Sequence, residues 1–126
     1  MNQFIINEKL PSLNDYINEC RTNKYKAANF KRNIENLIGY YITLSLNKGT
    51  LKPTQNPIVV HFKWHEKTKR RDADNVASAK KFVLDALQKY KVIPNDSRKY
   101  VKGFHDEIID DTADYVEVVL IELLPM

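Results

Sequence analysis

Apolar residues in this chain recur with two periods, and the period separates helices from strands. In residues 26–46 they return at steps of three and four, which predicts a helix whose buried stripe is Phe30, Ile34, Leu37, Ile38, Tyr41 and Leu44. In residues 58–65 they return at every second position, which predicts a strand that buries Ile58, Val60, Phe62 and Trp64. The chain therefore combines long helical and strand segments.

Shorter patterns place the other elements. We expect strands at residues 3–7, 100–105 and 115–124, and helices at about 12–21 and 75–90. Ser12 or Asn14 would cap the first of these helices, and Gly49 would end the long helix. The order β-α-α-β-α-β-β predicts a single α+β domain over residues 1–126, with helices packed on a small mixed sheet.

Three single features carry expectations of their own. His61 and His65 fall on the outward face of the strand at 58–65 and are expected to be surface residues. The acidic segment 106–114 is expected to be a solvated loop. Cys20 is the only cysteine, which excludes a disulfide framework and a multi-cysteine zinc site. We expect it to be inert and packed, in a reducing, cytoplasmic compartment.

Charge is unevenly distributed along the chain. The net charge is +4, but the first 102 residues hold all 20 Lys and Arg and only nine of the 16 acids. A basic body of this kind favours a polyanionic partner, most simply nucleic acid, although a solvated basic surface is the alternative. No apolar run approaches the ~18 residues of a membrane span, and the first ten residues do not look like a secretory signal. We therefore expect no membrane partner.

Acidic residues around position 74 are the candidates for chemistry. Asp72 and Asp74 are two residues apart, a spacing that puts both carboxylates on one face of an extended chain. Helix capping by Asp74 or Asn75 is the alternative role. On a helical wheel Lys81 shares the polar side with Asp74, and Asp96 follows in a turn. Carboxylates beside a lysine suit Mg²⁺-dependent phosphodiester hydrolysis, whereas a surface charge network is the simpler interpretation.

Several separated pieces of the chain resemble the RusA-like Holliday-junction resolvases, which are small dimeric endonucleases of bacteria and prophages. The pieces are Arg70–Asn75, Leu84–Leu87 and Asn95–Asp96, and Pro11–Tyr16 is similar to the opening motif of that family. The resemblance implies Mg²⁺ as cofactor and a homodimer. It also implies paired symmetric cuts in a four-way DNA junction during recombination or repair. A two-fold dimer suits two equivalent cuts.

The resemblance implies three metal-binding and catalytic acids, Asp72, Asp74 and Asp96. Two positions depart from the family pattern. The lysine usually found four residues after the second Asp is Ser78 here, and counting back from Asp85 gives Lys81, with Lys80 as the alternative. In the later acidic pair, Asn95 replaces one acid.

Five bases lie within the nine residues 63–71, directly before these acids. Such a cluster is typical of a loop that grips the DNA backbone, and a solvated loop is the alternative. The DNA-binding candidates are Lys67, Lys69, Arg70 and Arg71, together with Asn14 of the opening motif. The main alternative function is a non-catalytic protein that binds DNA junctions.

Overall fold

Four strands form a mixed sheet, and helices pack on one of its faces. The structure is a computed structural model that describes residues 1–123. The strands are β1 (Asn2–Ile6), β2 (Ile58–Glu66), β3 (Val101–Asp110) and β4 (Tyr115–Glu122). The helices are α1 (Leu13–Thr22), α2 (Lys24–Lys48), α3 (Ala73–Ala77) and α4 (Lys80–Lys89). The predicted α+β class is confirmed.

The strand order in the sheet is β1-β4-β2-β3. β4 runs antiparallel to both of its neighbours, and β2 and β3 run parallel. Parallel neighbours need a crossover connection, which α3 and α4 provide here. The basic loop of residues 67–72 and the start of α3 therefore lie at the carboxyl end of β2.

The predicted alternation in β2 is confirmed, because Ile58, Val60, Phe62 and Trp64 are all buried whereas Val59 is only partly buried. They share the core with residues of β4 and of the helices, among them Val116, Val118, Leu120, Ile38, Ile42, Phe82, Val83 and Leu87. Burying one large apolar side chain contributes about 1.5–3 kcal/mol relative to leaving it in water. The opposite sheet face is more polar and leaves Ile5 and Ile121 exposed.

The first two helices begin and end close to the predicted positions. Ser12 caps α1 by accepting a hydrogen bond from the backbone N–H of Asp15, whose carboxylate accepts from the N–H of Ser12 in return. Asn23 caps α2, and Gly49 ends it in the left-handed conformation, with φ of 80°. None of the helices in residues 1–123 is long and apolar enough to cross a bilayer.

The helix expected at 75–90 is instead two helices. Backbone bonds around the joint run over three residues rather than four, as from the N–H of Phe82 to the carbonyl of Ala79. The hydroxyl of Ser78 accepts a hydrogen bond from the backbone N–H of Leu13 and donates to the carbonyl of Asn75. Contact with α1 therefore accompanies the break, and this contact has no signal in the local sequence.

The strand expected at 100–105 extends to Asp110, so the acidic segment is a loop only at residues 111–114. β3 pairs with β2 along its length, and Asp110 lies opposite Glu66. This pairing outweighs the low strand propensity of acidic residues. The strand expected at 115–124 ends at Glu122, and Leu124 lies outside the described residues. Cys20 is exposed rather than packed.

Candidate functional site

Asp72 and Asp74 lie on either side of the first residue of α3. Asp72 is the N-cap residue with an extended backbone, and the helix begins at Ala73. The expectation of an extended chain with both carboxylates on one face is therefore wrong, because residues two apart on a helix point in different directions. The expected cap at Asp74 or Asn75 is also wrong.

The side chains of Asp72 and Asp74 nevertheless make few contacts with the rest of the protein. Asp72 makes no capping hydrogen bond, and within residues 1–123 its side chain has no hydrogen bond or ion pair. Asp74 accepts one bond, from the backbone N–H of its neighbour Asn75 at 3.0 Å. Both acids are exposed. Acids at the start of a helix interact favourably with its dipole, but neither carboxylate is held by another side chain of the described residues, so both are accessible to a ligand.

Lys81 joins α4 to the turn that carries Asp96. Its ammonium lies 3.3 Å from Oδ2 of Asp96 and 3.1 Å from Oδ1 of Asp85. The hydrogen bond with Asp85 is the main cause that raises the pKa of Lys81, burial acts in the opposite direction, and Asp96 adds to the rise. Lys81 is therefore a cation at neutral pH, which suits it to stabilise negative charge rather than to accept a proton.

Lys80 points to a different part of the molecule. Its ammonium pairs with the carboxylate of Asp106 and lies 4.8 Å from the centre of the Phe104 ring. Asp106 also accepts a hydrogen bond from the indole N–H of Trp64 at 2.9 Å. Lys80 thus holds α4 against β3, which leaves Lys81 as the lysine that reaches an acid of the candidate site.

The start of α1 lies against α3, although the two are some sixty residues apart in the chain. The side-chain amide of Asn14 donates to Oδ1 of Asn75 at 2.9 Å. The N–H of Leu13 donates to Ser78, and the guanidinium of Arg71 donates to the carbonyl of Leu10 at 3.1 Å. The opening motif and the acidic motif therefore meet in the fold.

The basic loop divides into one residue that faces the protein and three that face solvent. Arg71 donates from Nε and Nη2 to Glu66, whose side chain is only 7% exposed. A buried carboxylate needs such a partner, so Arg71 has a structural role here, and its contact with DNA stays a prediction. Lys67, Lys69 and Arg70 are exposed, and Lys69 makes only a 3.7 Å pair with Asp110.

No family model matches this chain, and no curated protein matches it. The resemblance to the RusA-like resolvases therefore rests on the motif pieces alone.

The three predicted metal ligands are not gathered into one cluster. Within residues 1–123, no three side chains of His, Cys, Asp or Glu are placed to hold a metal ion together. Their donor atoms still fit Mg²⁺, because all are carboxylate oxygens, and Asp72, Asp74 and Asp96 each keep an oxygen without a partner in the described residues. Mg²⁺ is commonly held by one or two carboxylates, water and substrate phosphates. One or two of these acids have the donor chemistry for an open site completed by water and a phosphate, but within residues 1–123 the structure does not gather all three.

His65 is the residue that the sequence pattern misplaced. It is buried, its ring nitrogens lie 2.8 Å from carboxylate oxygens of Asp111 and Glu117, and its ring stacks on Tyr115 at 3.8 Å. Because carboxylates only accept, both bonds form together when the ring carries two protons. The backbone N–H of Thr112 and then His65 lower the pKa of Asp111. In the sequence, the only feature that could have indicated a buried His65 is the presence of acids at positions 111 and 117.

Proposed function

We propose that this chain is a Mg²⁺-dependent, structure-selective endodeoxyribonuclease that resolves four-way DNA junctions by paired symmetric nicks. The observation that carries the proposal is the way the separate motif pieces pair. The opening motif contacts the acidic motif through Asn14 and Asn75, and the later acid Asp96 contacts α4 through Lys81. α3 and α4 are consecutive, so the two contacts lie on adjoining parts of one crossover connection.

The roles follow from exposure and charge. Asp72 and Asp74 are exposed and would hold Mg²⁺ with Asp96. Bound there, the ion would supply polarisation of the scissile phosphate and activation of water. The Lys81 ammonium would stabilise the negative charge that develops on the phosphate oxygens.

Recognition of the substrate falls to the exposed bases. Lys67, Lys69 and Arg70 lie just before the acids and would neutralise backbone phosphates. Asn14, held by Asn75, would contribute a polar contact at the start of α1. We also propose a cytoplasmic location, because a chain with a single cysteine has no internal disulfide and suits a reducing compartment.

One observation favours the alternative of a junction-binding protein without catalysis. The carboxylate of Asp96 is bound to Lys81, whereas the other two acids are not part of that contact. Carboxylates near DNA weaken binding unless a cation neutralises them. In a pure binder, Lys81 itself would be that cation for Asp96.

The deciding experiment compares cleavage of a mobile four-way junction with cleavage of a linear duplex of matched sequence, in Mg²⁺ and in EDTA. Asp74→Asn removes one candidate ligand, and Glu19→Gln on α1 removes one carboxylate elsewhere. We expect paired nicks that require Mg²⁺, persist in Glu19→Gln and disappear in Asp74→Asn, while the mutant still binds the junction. Tight junction binding with no cleavage in any divalent metal would favour the alternative.

A further inference from the structure

β3 forms one edge of the sheet, and its outer side is free. In the part of the chain that the structure describes, the strand pairs with β2 alone. Among residues 1–123, no hydrogen bond from outside the sheet reaches the backbone between Lys102 and Asp110. The other edge is covered, because Gln3 donates to the carbonyl of Thr50 and Asn2 exchanges two hydrogen bonds with Lys52. β3 is thus the one long strand edge open to a further strand in the described chain.

The exposed side chains of β3 have a symmetric order. Around Asp106 the strand reads Phe104, His105, Asp106, Glu107 and Ile108, so each feature on one side has a complement at the same distance on the other. Phe104 and Ile108 are both large apolar residues, exposed at 45% and 37%. Further out, Gly103 and Ile109 stand three residues from the centre without complementing each other, and the base Lys102 and the acid Asp110 stand four residues from it. A sequence with this order can pair with itself.

We propose that β3 pairs antiparallel with β3 of a second copy of this chain, about a two-fold axis that passes between the two Asp106 residues. Phe104 then lies opposite the partner's Ile108, and His105 lies opposite the partner's Glu107. Lys102 lies opposite the partner's Asp110. The two sheets join into one sheet of eight strands, and the pairing is isologous.

Other registers are less favourable. A shift by one position places side chains from opposite faces of the sheet across from each other, which antiparallel pairing forbids. A shift by two positions places Glu107 opposite the partner's Glu107 in one direction, and Phe104 opposite the partner's Asp106 in the other. Of these registers, the one centred on Asp106 pairs Phe104 with Ile108, His105 with Glu107 and Lys102 with Asp110, and it places the two Asp106 side chains opposite each other.

The acid on the axis is already neutralised within its own subunit. One oxygen of Asp106 accepts the indole N–H of Trp64, and the other is bound by the ammonium of Lys80. Two such carboxylates repel each other less than free ones, since each carries its own cation. The same ammonium also lies near the rings of Phe62 on β2 and Phe104 on β3, at 5.9 Å and 4.8 Å from their centres.

The proposed dimer also bears on DNA cleavage, and this part of the inference rests on the proposed function. The two-fold axis of an antiparallel strand pair is perpendicular to the sheet, so the helices of both subunits lie on the same face of the joined sheet. Both candidate sites would then approach one DNA junction from the same side, as paired nicks require.

The test is a charge swap that only pairing between subunits can rescue. Lys102→Glu places like charges opposite each other, and Lys102→Glu/Asp110→Lys restores opposite charges. Within one strand the two positions are roughly 26 Å apart, so rescue inside a single subunit is excluded. Lys52→Glu makes the same charge change at the covered edge. Sedimentation equilibrium without DNA or metal measures the dimer dissociation constant of each variant.

We expect the wild type to be a dimer and Lys102→Glu to raise its dissociation constant by about tenfold. The double variant should restore the wild-type value, and Lys52→Glu should leave it unchanged. The inference is overturned if the wild type is a monomer, or if Lys102→Glu and Lys52→Glu change the dimer dissociation constant equally. A dimer that cuts no junction contradicts only the proposed function, and a monomer that makes paired nicks contradicts only this inference.

Discussion

The ammonium of Lys81 lies 3.3 Å from the carboxylate of Asp96, fifteen residues further along the chain. The same ammonium bonds Asp85 one helical turn away. Two carboxylates therefore hold one exposed cation near the start of α4. Lys80, its neighbour, is turned toward β3 and bound to Asp106. The contact selects Lys81 as the lysine of the candidate site.

Lys81→Ala is predicted to lower the rate of junction cleavage by about 10²–10³-fold, the usual effect of losing one group that stabilises transition-state charge. Junction affinity should change little, because the phosphate contacts lie on the basic loop. Single-turnover cleavage measures the rate. Lys89→Ala, on the same helix and paired with Glu35, is the matched control and should cleave normally. Equal losses in both variants would assign Lys81 a purely structural role.

Arg71→Ala is predicted to destabilise the fold by about 3 kcal/mol, because it leaves the buried carboxylate of Glu66 without its partner. Urea unfolding measures the change in the free energy of unfolding. Arg70→Ala removes an exposed neighbour and should stay within about 0.5 kcal/mol of the wild type. Arg71→Ala/Glu66→Gln should recover much of the loss, and a double variant as unstable as Arg71→Ala would contradict this explanation.

The exposed bases of the loop are predicted to carry phosphate contacts. Lys67→Ala/Lys69→Ala should weaken junction binding and reduce the slope of log affinity against log salt by about two, one for each lost contact. Titration of a labelled junction at several salt concentrations measures the slope. Lys48→Ala/Lys52→Ala removes the same charge from the other end of the sheet and should leave the slope closer to that of the wild type. Identical slopes for the two double variants would show that binding depends on net charge alone.

The hydrogen bonds that Asp111 accepts from the backbone N–H of Thr112 and from His65 predict a dependence of stability on acid pH. The pKa of Asp111 is lowered below its ordinary value of 3.8, so the folded state favours the carboxylate. Its contribution is present above that ordinary value and is lost as the pH falls through the lower folded value. Melting temperatures between about pH 5 and pH 2, the range in which carboxyl groups titrate, should fall more steeply for the wild type than for Asp111→Asn. If the melting temperatures of the two proteins fall in parallel with pH, the hydrogen bonds of Asp111 do not contribute to stability.

Local order along the chain was open to prediction because neighbouring residues determine it. The alternation of β2, the buried stripe of α2 and its end at Gly49 each depend on residues within a few positions of one another. The pair between Lys81 and Asp85 is of the same kind, since residues four apart lie on one side of a helix. In these segments local preference and tertiary packing agree.

The tertiary structure decided the features that join distant segments. β3 continues to Asp110 because β2 lies beside it, and the helix breaks at Ser78, where α1 is bound. His65 is buried because β4 pairs with β2 and places Tyr115 opposite it, and because the turn before β4 brings Asp111 to its ring. The sequence alone indicated most of the helical and extended segments, but not the break at Ser78 or the end of β3, and it determined which residue types the candidate site contains. Strand register and the partners of each charge depend on residues tens of positions apart, whose distances no local pattern records.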